Sequence, residues 1–273
     1  RRRLARYSPA RFPAHILNRP KRAMMTDTAN ATARALACLD LACVSAGANE
    51  ADVDAAAKEA CTRHGPVAAL SVWPVHVARA ASRLKGTRVK VASVVSFPGG
   101  DAPISAVIDE TKRAMDDGAS EIDLVVPWKA LLEGHPENIP ARVARIKAAA
   151  DNAPVKAIIE SGILAEPETI AAATRGALDG GADFVRTSTG LAPINATPEA
   201  ARIILDILAA YDRPAGLKVA GTIRSTAEAL QYLAMADETL GPENVTPARF
   251  RIGSSGLLGA LLASLEGRKG VVA

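Results

Sequence analysis

From about residue 34 onward, short apolar runs alternate with longer segments in which apolar residues recur every three or four positions. The short runs have the length of buried strands, and the longer segments have the spacing of amphipathic helices. Strands that alternate with helices form a parallel sheet, because each helix returns the chain to the start of the next strand. Eight strands are predicted, at residues 35–42, 67–74, 88–97, 121–127, 155–161, 183–189, 216–222 and 250–255.

The residues at the predicted helix ends agree with this division. Thr197 precedes Pro198, which is the order of a capping residue and a first-turn proline. Gly118, Gly180 and Gly181 lie where helices should stop. Eight strand–helix units favour an α/β fold, the closed (β/α)8 TIM barrel of roughly 250 residues. A doubly wound open sheet is the alternative, but no dinucleotide-binding glycine pattern follows the first strand.

Composition and cysteine usage fit an ordinary globular protein. Hydrophobic residues make up 49% of the chain and aromatic residues only 3%, so the core must consist of Ala, Val, Ile and Leu. Three scattered cysteines do not form a disulfide framework, and we expect a cytoplasmic protein. No apolar run approaches the ~20 residues of a membrane span, so no membrane association is expected.

Positive charge is concentrated at the start of the chain. Residues 1–25 hold eight Lys or Arg and no acid, and removing these eight from the net charge of +4 leaves −4 for the rest. We predict a disordered basic leader at 1–33, a barrel domain at 34–265 and a loose tail at 266–273. The leader is interpreted as upstream or added sequence, as a transit peptide, or as a nucleic-acid-binding arm. Because no nucleic-acid motif accompanies it, no nucleic-acid partner is expected.

Strand alternation predicts which polar side chains face the barrel axis. Successive side chains point to opposite faces of a strand, so a polar residue between two apolar, helix-facing neighbours points inward. Inward charges are costly unless paired, and a single one would be explained by a structural ion pair. Several that converge from different strands favour a site at the carboxyl ends of the strands. The inward set is Asp40, Asp123, Lys156, Arg186 and Lys218.

This set permits amine chemistry on a carbonyl compound. A lysine surrounded by other cations has a lowered pKa, so part of it is the free amine. A free amine attacks a carbonyl carbon and forms an imine, while a nearby carboxylate moves protons through water. The chemistry needs neither a metal nor another cofactor.

Small residues after the last three strands predict a phosphate site. Gly190 and Gly221 follow the sixth and seventh strands, and Gly253, Ser254 and Ser255 end the eighth. Small residues let backbone N–H groups approach an anion, and a helix N-terminus follows the eighth strand. Barrels commonly bind phosphate at these loops. The alternative is that the glycines only form tight turns.

Several long segments resemble deoxyribose-phosphate aldolases. The resemblance extends over residues 35–265 and implies a TIM-barrel lyase of deoxyribonucleotide catabolism. Such an enzyme reversibly cleaves 2-deoxy-D-ribose 5-phosphate to D-glyceraldehyde 3-phosphate and acetaldehyde through a lysine imine. A phosphosugar is therefore the expected partner, and a homo-oligomer is possible. The segments include EIDLVVPWKALLEG (121–134), VKAIIESGIL (155–164), GADFVRTSTGLAPINATPEAARI (181–203), GLKVAGTIRSTAEALQYL (216–233) and RFRIGSSGLL (249–258).

The resemblance also implies residue roles. Asp123 is the acid–base carboxylate that works through water, and Lys218 is the second lysine that lowers the pKa of the nucleophile. Lys156 is a further cation, and Asp40 is a polar wall residue. The phosphate ligands that it implies are Gly190, Gly221, Gly253 and Ser255.

One departure falls on the nucleophile. The family has lysine in a KTSTG context, and this chain has Arg186 in FVRTSTG. A guanidinium stays protonated and is not a useful nucleophile. Three hypotheses follow: Lys218 or Lys156 has become the nucleophile, the barrel binds phosphosugars without turnover and uses Arg186 as an anion clamp, or Asp123 drives a metal-free sugar-phosphate isomerisation.

Overall fold

The structure is a computed structural model that describes residues 21–268. Eight parallel strands close into a barrel in which each strand pairs with the next and the last pairs with the first. The predicted (β/α)8 TIM barrel is therefore confirmed, and each predicted strand overlaps one observed strand. These are β1 (Leu39–Cys43), β2 (Ala69–Val72), β3 (Lys90–Val95), β4 (Glu121–Val125), β5 (Val155–Ile158), β6 (Phe184–Arg186), β7 (Gly216–Ala220) and β8 (Phe250–Ser254).

Helices surround the barrel and connect its strands. A 3₁₀ turn (Pro74–His76) follows β2, and an antiparallel hairpin (Cys61–Thr62 with Gly65–Pro66) precedes it. The α-helices are α1 (Lys21–Ala37), α2 (Glu50–Glu59), α3 (Val77–Leu84), α4 (Ile104–Asp116), α5 (Trp128–Leu132), α6 (Asn138–Ala149), α7 (Ser161–Leu164), α8 (Pro167–Asp179), α9 (Pro198–Ala210), α10 (Thr226–Leu240) and α11 (Leu258–Leu265).

Helix ends lie where the local sequence predicts them. The Thr197 side chain accepts the backbone N–H of Ala200, and Pro198 occupies the first turn of α9. α4 and α8 end just before Gly118 and Gly181, whose φ angles of 101° and 93° are left-handed. These stops send the chain directly into the next strand.

The core lies between the barrel and its helices. Outward residues of the strands, such as Ile122, Leu124 and Leu217, are fully buried against helices. The inward positions of the same strands carry the charged residues. In the strand register Asp123 pairs with Lys156, and Lys218 pairs with Arg186 on one side and Arg251 on the other. The barrel interior is consequently polar over β4–β8.

The predicted boundary of the leader is wrong. α1 begins at Lys21, so residues 21–33, which we assigned to the disordered leader, are helical. Thr32 is fully buried, and Arg34 forms an ion pair of 2.6 Å with Asp237 on α10. The sequence pattern did not reveal this helix for two reasons. Basic residues cluster at its start, and its apolar positions are mostly alanine. Residues 1–20 and 269–273 lie outside the described residues.

Candidate active site

The five inward residues predicted from strand alternation lie together inside the barrel, and two more charged residues join them. The set combines three carboxylates with four cations, an excess of one positive charge. All are buried, so their charges are compensated mainly by one another. The seven are Asp40, Glu121, Asp123, Lys156, Arg186, Lys218 and Arg251.

Asp123 is the centre of the group. Its Oδ2 accepts hydrogen bonds from Lys218 Nζ and from Arg186 Nη1, both at 2.7 Å. Its Oδ1 accepts from Lys156 Nζ at 3.0 Å. Lys218 Nζ also lies 2.6 Å from Asp40 Oδ2. The Lys218 amine therefore lies between two carboxylates, with a guanidinium beside it.

Glu121 and Arg251 are the two members that sequence reasoning missed. Arg251 donates to Asp40 Oδ1 at 2.6 Å and to Glu121 Oε1 at 2.7 Å. Glu121 Oε2 lies 2.6 Å from Lys156 Nζ. The same alternation could have found both residues, because Glu121 precedes Asp123 by two positions and Arg251 lies between two outward apolar residues.

The two interior lysines differ in the balance of charge around them. Burial lowers the pKa of both amines. At Lys156 the carboxylates of Asp123, Glu121 and Asp40 outweigh burial, and the pKa is raised. At Lys218 burial prevails over Asp123 and Asp40, with help from Arg186 and Lys156, and the pKa is lowered. Lys218 is therefore the interior lysine that more readily provides a free amine.

Asp123 is held in its ionised form. Burial raises the pKa of this carboxyl, but the neighbouring Lys156, Lys218 and Arg186 outweigh it and hold the pKa well below its usual range. The pKa of Asp40 is lowered in the same way, because Lys218, Arg251 and Lys156 together exceed the effect of burial. Both carboxylates thus stay charged next to the Lys218 amine.

Gly253 makes room for the Lys218 side chain. It lies inside β8, where a Cβ would come 2.9 Å from Lys218 Cε and 3.1 Å from Ala220 Cβ. Ser254 ends the same strand and donates its hydroxyl to the Ile223 carbonyl at 2.6 Å. Ser255 follows the strand and is the one exposed residue of the three predicted to bind phosphate here.

The loops after β6 and β7 touch at their glycines. Gly190 has a φ of 97°, and a Cβ there would lie 3.8 Å from the Gly221 Cα. Gly221 has a φ of 129°, and its lack of a side chain leaves space for Asn195. A Cβ on Gly221 would come 2.3 Å from the Asn195 Cβ. Both positions require glycine. Since Ser254 binds the segment after Gly221, all three predicted phosphate loops meet at one side of the barrel mouth.

Arg186 is folded into the wall of the site. Its Nε donates to the Ser188 carbonyl at 2.9 Å, and its Nη2 donates to the Thr189 carbonyl at 3.2 Å. Its Nη1 donates to Asp123, so each of the three side-chain nitrogens has an acceptor within the protein. Only 4% of the residue is exposed, so solvent scarcely reaches it.

Over residues 21–268, no group of three or more His, Cys, Asp or Glu side chains is arranged to hold a metal ion. In the same part of the chain, no helix combines the length and apolar character that crossing a bilayer requires.

Comparison with known proteins identifies the family. A protein of Toxoplasma gondii ME49, predicted to be a deoxyribose-phosphate aldolase, superposes with a TM-score of 0.81 at 27% identity, covering 90% of this chain and all of that one. One from Coccidioides immitis, predicted to have the same activity, gives 0.75 at 26% identity over 86% of both chains. The tetrameric deoxyribose phosphate aldolase of Aeropyrum pernix shares the fold, at 0.71 and 24% identity over 91% and 98%. The DeoC/LacD aldolase family model matches residues 24–253, and the chain therefore belongs to this family of aldolases.

Proposed function

We propose that the protein reversibly cleaves 2-deoxy-D-ribose 5-phosphate to D-glyceraldehyde 3-phosphate and acetaldehyde, with Lys218 as the imine-forming amine. The observation that carries the proposal is the contrast between the two interior lysines. Lys218 has a lowered pKa, whereas Lys156 is held as an ammonium by three carboxylates. An amine must be unprotonated to attack a carbonyl carbon, so Lys218 is the better nucleophile.

The reaction follows from this assignment. Lys218 Nζ bonds to the aldehyde carbon of the open-chain sugar, and loss of water leaves an imine. As the bond between the second and third sugar carbons breaks, its electron pair moves toward the imine nitrogen and the third carbon's hydroxyl loses its proton. D-Glyceraldehyde 3-phosphate leaves, protonation of the second carbon follows, and hydrolysis releases acetaldehyde and the amine.

Asp123 and its neighbours serve these proton transfers. As an ionised carboxylate 2.7 Å from Lys218 Nζ, Asp123 stabilises the protonated imine and passes protons through water. Arg186 lowers the pKa of Lys218 from the position where the family carries its own nucleophile. In this proposal the two residues have exchanged the roles that the resemblance implies. The loops at Gly190, Gly221 and Ser255 hold the phosphate.

The two other hypotheses have less support. A direct anion clamp needs guanidinium donors directed at the ligand, whereas every nitrogen of Arg186 already donates within the protein. An isomerase that uses Asp123 as its base needs no amine nucleophile, so it gives no role to the lowered pKa of Lys218. Both observations favour the aldolase.

Replacing the Lys218 amine tests the proposal. Lys218→Arg keeps the positive charge and removes the nucleophile, so we expect the rate of substrate cleavage to fall at least about a thousandfold. Lys129→Arg, at an exposed lysine, is the matched control and should cleave at the native rate. Formation of acetaldehyde is the measurement. Undiminished cleavage by Lys218→Arg would remove Lys218 from the mechanism.

A further inference from the structure

Arg186 connects the amine site with the loop that follows β6. One end of its guanidinium meets Asp123, and the other end and Nε meet the carbonyls of Ser188 and Thr189. A guanidinium offers donors from three nitrogens in a rigid plane, so it can serve three separated acceptors at once. A lysine ammonium offers all its donors from a single atom and cannot span them.

The same loop is held from its other side by Glu160. The backbone N–H of Thr189 donates to the Glu160 carboxylate, 3.2 Å from Oε1. Glu160 is buried and has a φ of 56°, a left-handed conformation that a residue with a Cβ keeps only where its surroundings impose it. The Thr189 hydroxyl in turn accepts the N–H of Leu191 at 3.2 Å. The peptide groups on both sides of Thr189 are therefore restrained.

Gly190 is the next residue, and its position depends on these restraints. It faces Gly221, whose Cα would lie 3.8 Å from a Cβ placed on Gly190. The φ of 97° at Gly190 sets the direction in which the loop leaves Thr189. A rotation of either Thr189 peptide would change the spacing between the two loops. Anion binding by backbone groups depends on that spacing.

We propose that Arg186, together with Glu160, is a positioning residue that holds the segment 187–191 in the shape that binds the phosphate group of the substrate. The inference rests on the proposed function, because the phosphate belongs to the sugar that is cleaved. Arg186 acts through the loop and not by touching the ligand. Arginine at this position thus has a structural use that the family's lysine cannot supply.

Calorimetric titration of inorganic phosphate into the full chain tests the inference without catalysis. Arg186→Lys removes two of the three donor positions, and we expect it to weaken phosphate binding about tenfold, the effect of losing one or two net hydrogen bonds. Arg202→Lys, at a surface arginine paired with Glu238, is the matched control and should bind like the native chain. Equal affinity in native and Arg186→Lys protein, or no phosphate binding by the native chain, would overturn the inference.

Glu160 provides the second arm of the test. Glu160→Ala should weaken phosphate binding about tenfold, whereas Glu160→Gln, whose amide oxygen can still accept the Thr189 N–H, should largely restore it. A circular dichroism melt of each variant identifies any that has not folded. Equal weakening in two folded Glu160 variants would remove the carboxylate-to-loop contact from the inference.

A kinetic comparison separates this inference from the proposed function. In Glu160→Ala, which leaves Arg186 and Lys218 in place, we expect the KM for 2-deoxyribose 5-phosphate to rise about tenfold, and the KM for unphosphorylated 2-deoxyribose to stay at the native value. Equal changes in both values would indicate a general distortion and contradict the positioning role. Absence of cleavage in the native chain would contradict the proposed function, and the phosphate titration would still decide the role of Arg186.

Discussion

At the scale of single residues, Lys218 is distinguished by what surrounds its amine. It is 1% exposed and meets two carboxylates, yet its pKa is lowered, because burial and the neighbouring cations prevail. Lys156 meets three carboxylates, and the balance reverses. Each lysine has one guanidinium neighbour, Arg186 at Lys218 and Arg251 at Lys156, so the third carboxylate at Lys156 is the main difference between the two amines.

The pH dependence of cleavage should report the Lys218 amine. The fraction of free amine rises with pH, so kcat/KM should increase up to the pKa of Lys218 and level off above it. Because that pKa is lowered, the plateau should begin below the ordinary lysine pKa of about 10.4. Arg186→Gln removes a cation that lowers this pKa, so the rising limb should move to higher pH. A limb that stays in place, or moves to lower pH, would contradict the electrostatic account.

Gly253 should be needed for the geometry of the amine. In Gly253→Ala the new Cβ would come 2.9 Å from Lys218 Cε, and the lysine tip would have to move away from Asp40 and Asp123. We expect kcat to fall about a hundredfold, as reacting groups displaced by about 1 Å typically lose. Gly259→Ala, with nothing within 4 Å of the added atom, should keep full activity. Native kcat in Gly253→Ala would show that the amine tolerates displacement.

Strand alternation predicted the inward orientation of Asp40, Asp123 and Lys218, because one apolar neighbour on each side suffices to orient a side chain. It could not predict which charges pair, since pairing depends on the register between strands whose residues are as far as 211 positions apart. The contact of Gly253 with Lys218 was hidden for the same reason. The sequence pattern presented Gly253 as a phosphate-loop glycine, and that role stays a prediction.

At the scale of elements, β4 contributes more of the site than any of its neighbours. It places Glu121 and Asp123 on the same face, and these carboxylates compensate cations from β5, β6, β7 and β8. Replacing either carboxylate therefore affects several strands at once. Helix-end signals such as Thr197 before α9 were readable from the sequence because capping is local. The start of α1 at Lys21 was not, because the cluster of basic residues dominated the pattern.

Asp123→Asn should destabilise the fold. It removes the charge that Lys156, Lys218 and Arg186 share, and leaves buried cations without compensation. Breaking a buried ion pair in this way costs about 3–5 kcal/mol. The free energy of unfolding from urea titration is the measurement, and Asp109→Asn on the exposed face of α4 is the control. A loss below about 1 kcal/mol would mean that water or rearranged side chains compensate these cations.

At the scale of the whole molecule, barrel closure is what assembles the site. Asp40 on β1 reaches Lys218 on β7 and Arg251 on β8 only because β8 pairs with β1. The fold class was predictable in full, since eight strand–helix units leave few other arrangements. The network inside the barrel needed the closed structure.

This network should make the fold sensitive to acid. Asp40 and Asp123 have pKa values below those of an unfolded chain, so the unfolded state binds more protons in acid. Their stabilising contribution is fully present above the unfolded pKa of about 3.9 and is lost as pH falls below it. The thermal midpoint should therefore drop steeply below about pH 4. Asp123→Asn should show a shallower drop, and an identical profile in the two proteins would contradict this account.

The most direct test of the central claim is borohydride reduction of the native chain in the presence of acetaldehyde, followed by intact mass measurement and peptide mapping. Reduction converts an imine into a stable ethyl group on the amine that formed it. We predict a single substrate-dependent ethyl group on Lys218, absent from Lys218→Arg. An ethyl group on Lys156, or cleavage of 2-deoxyribose 5-phosphate with no trapped lysine, would contradict the assignment of Lys218 as the nucleophile.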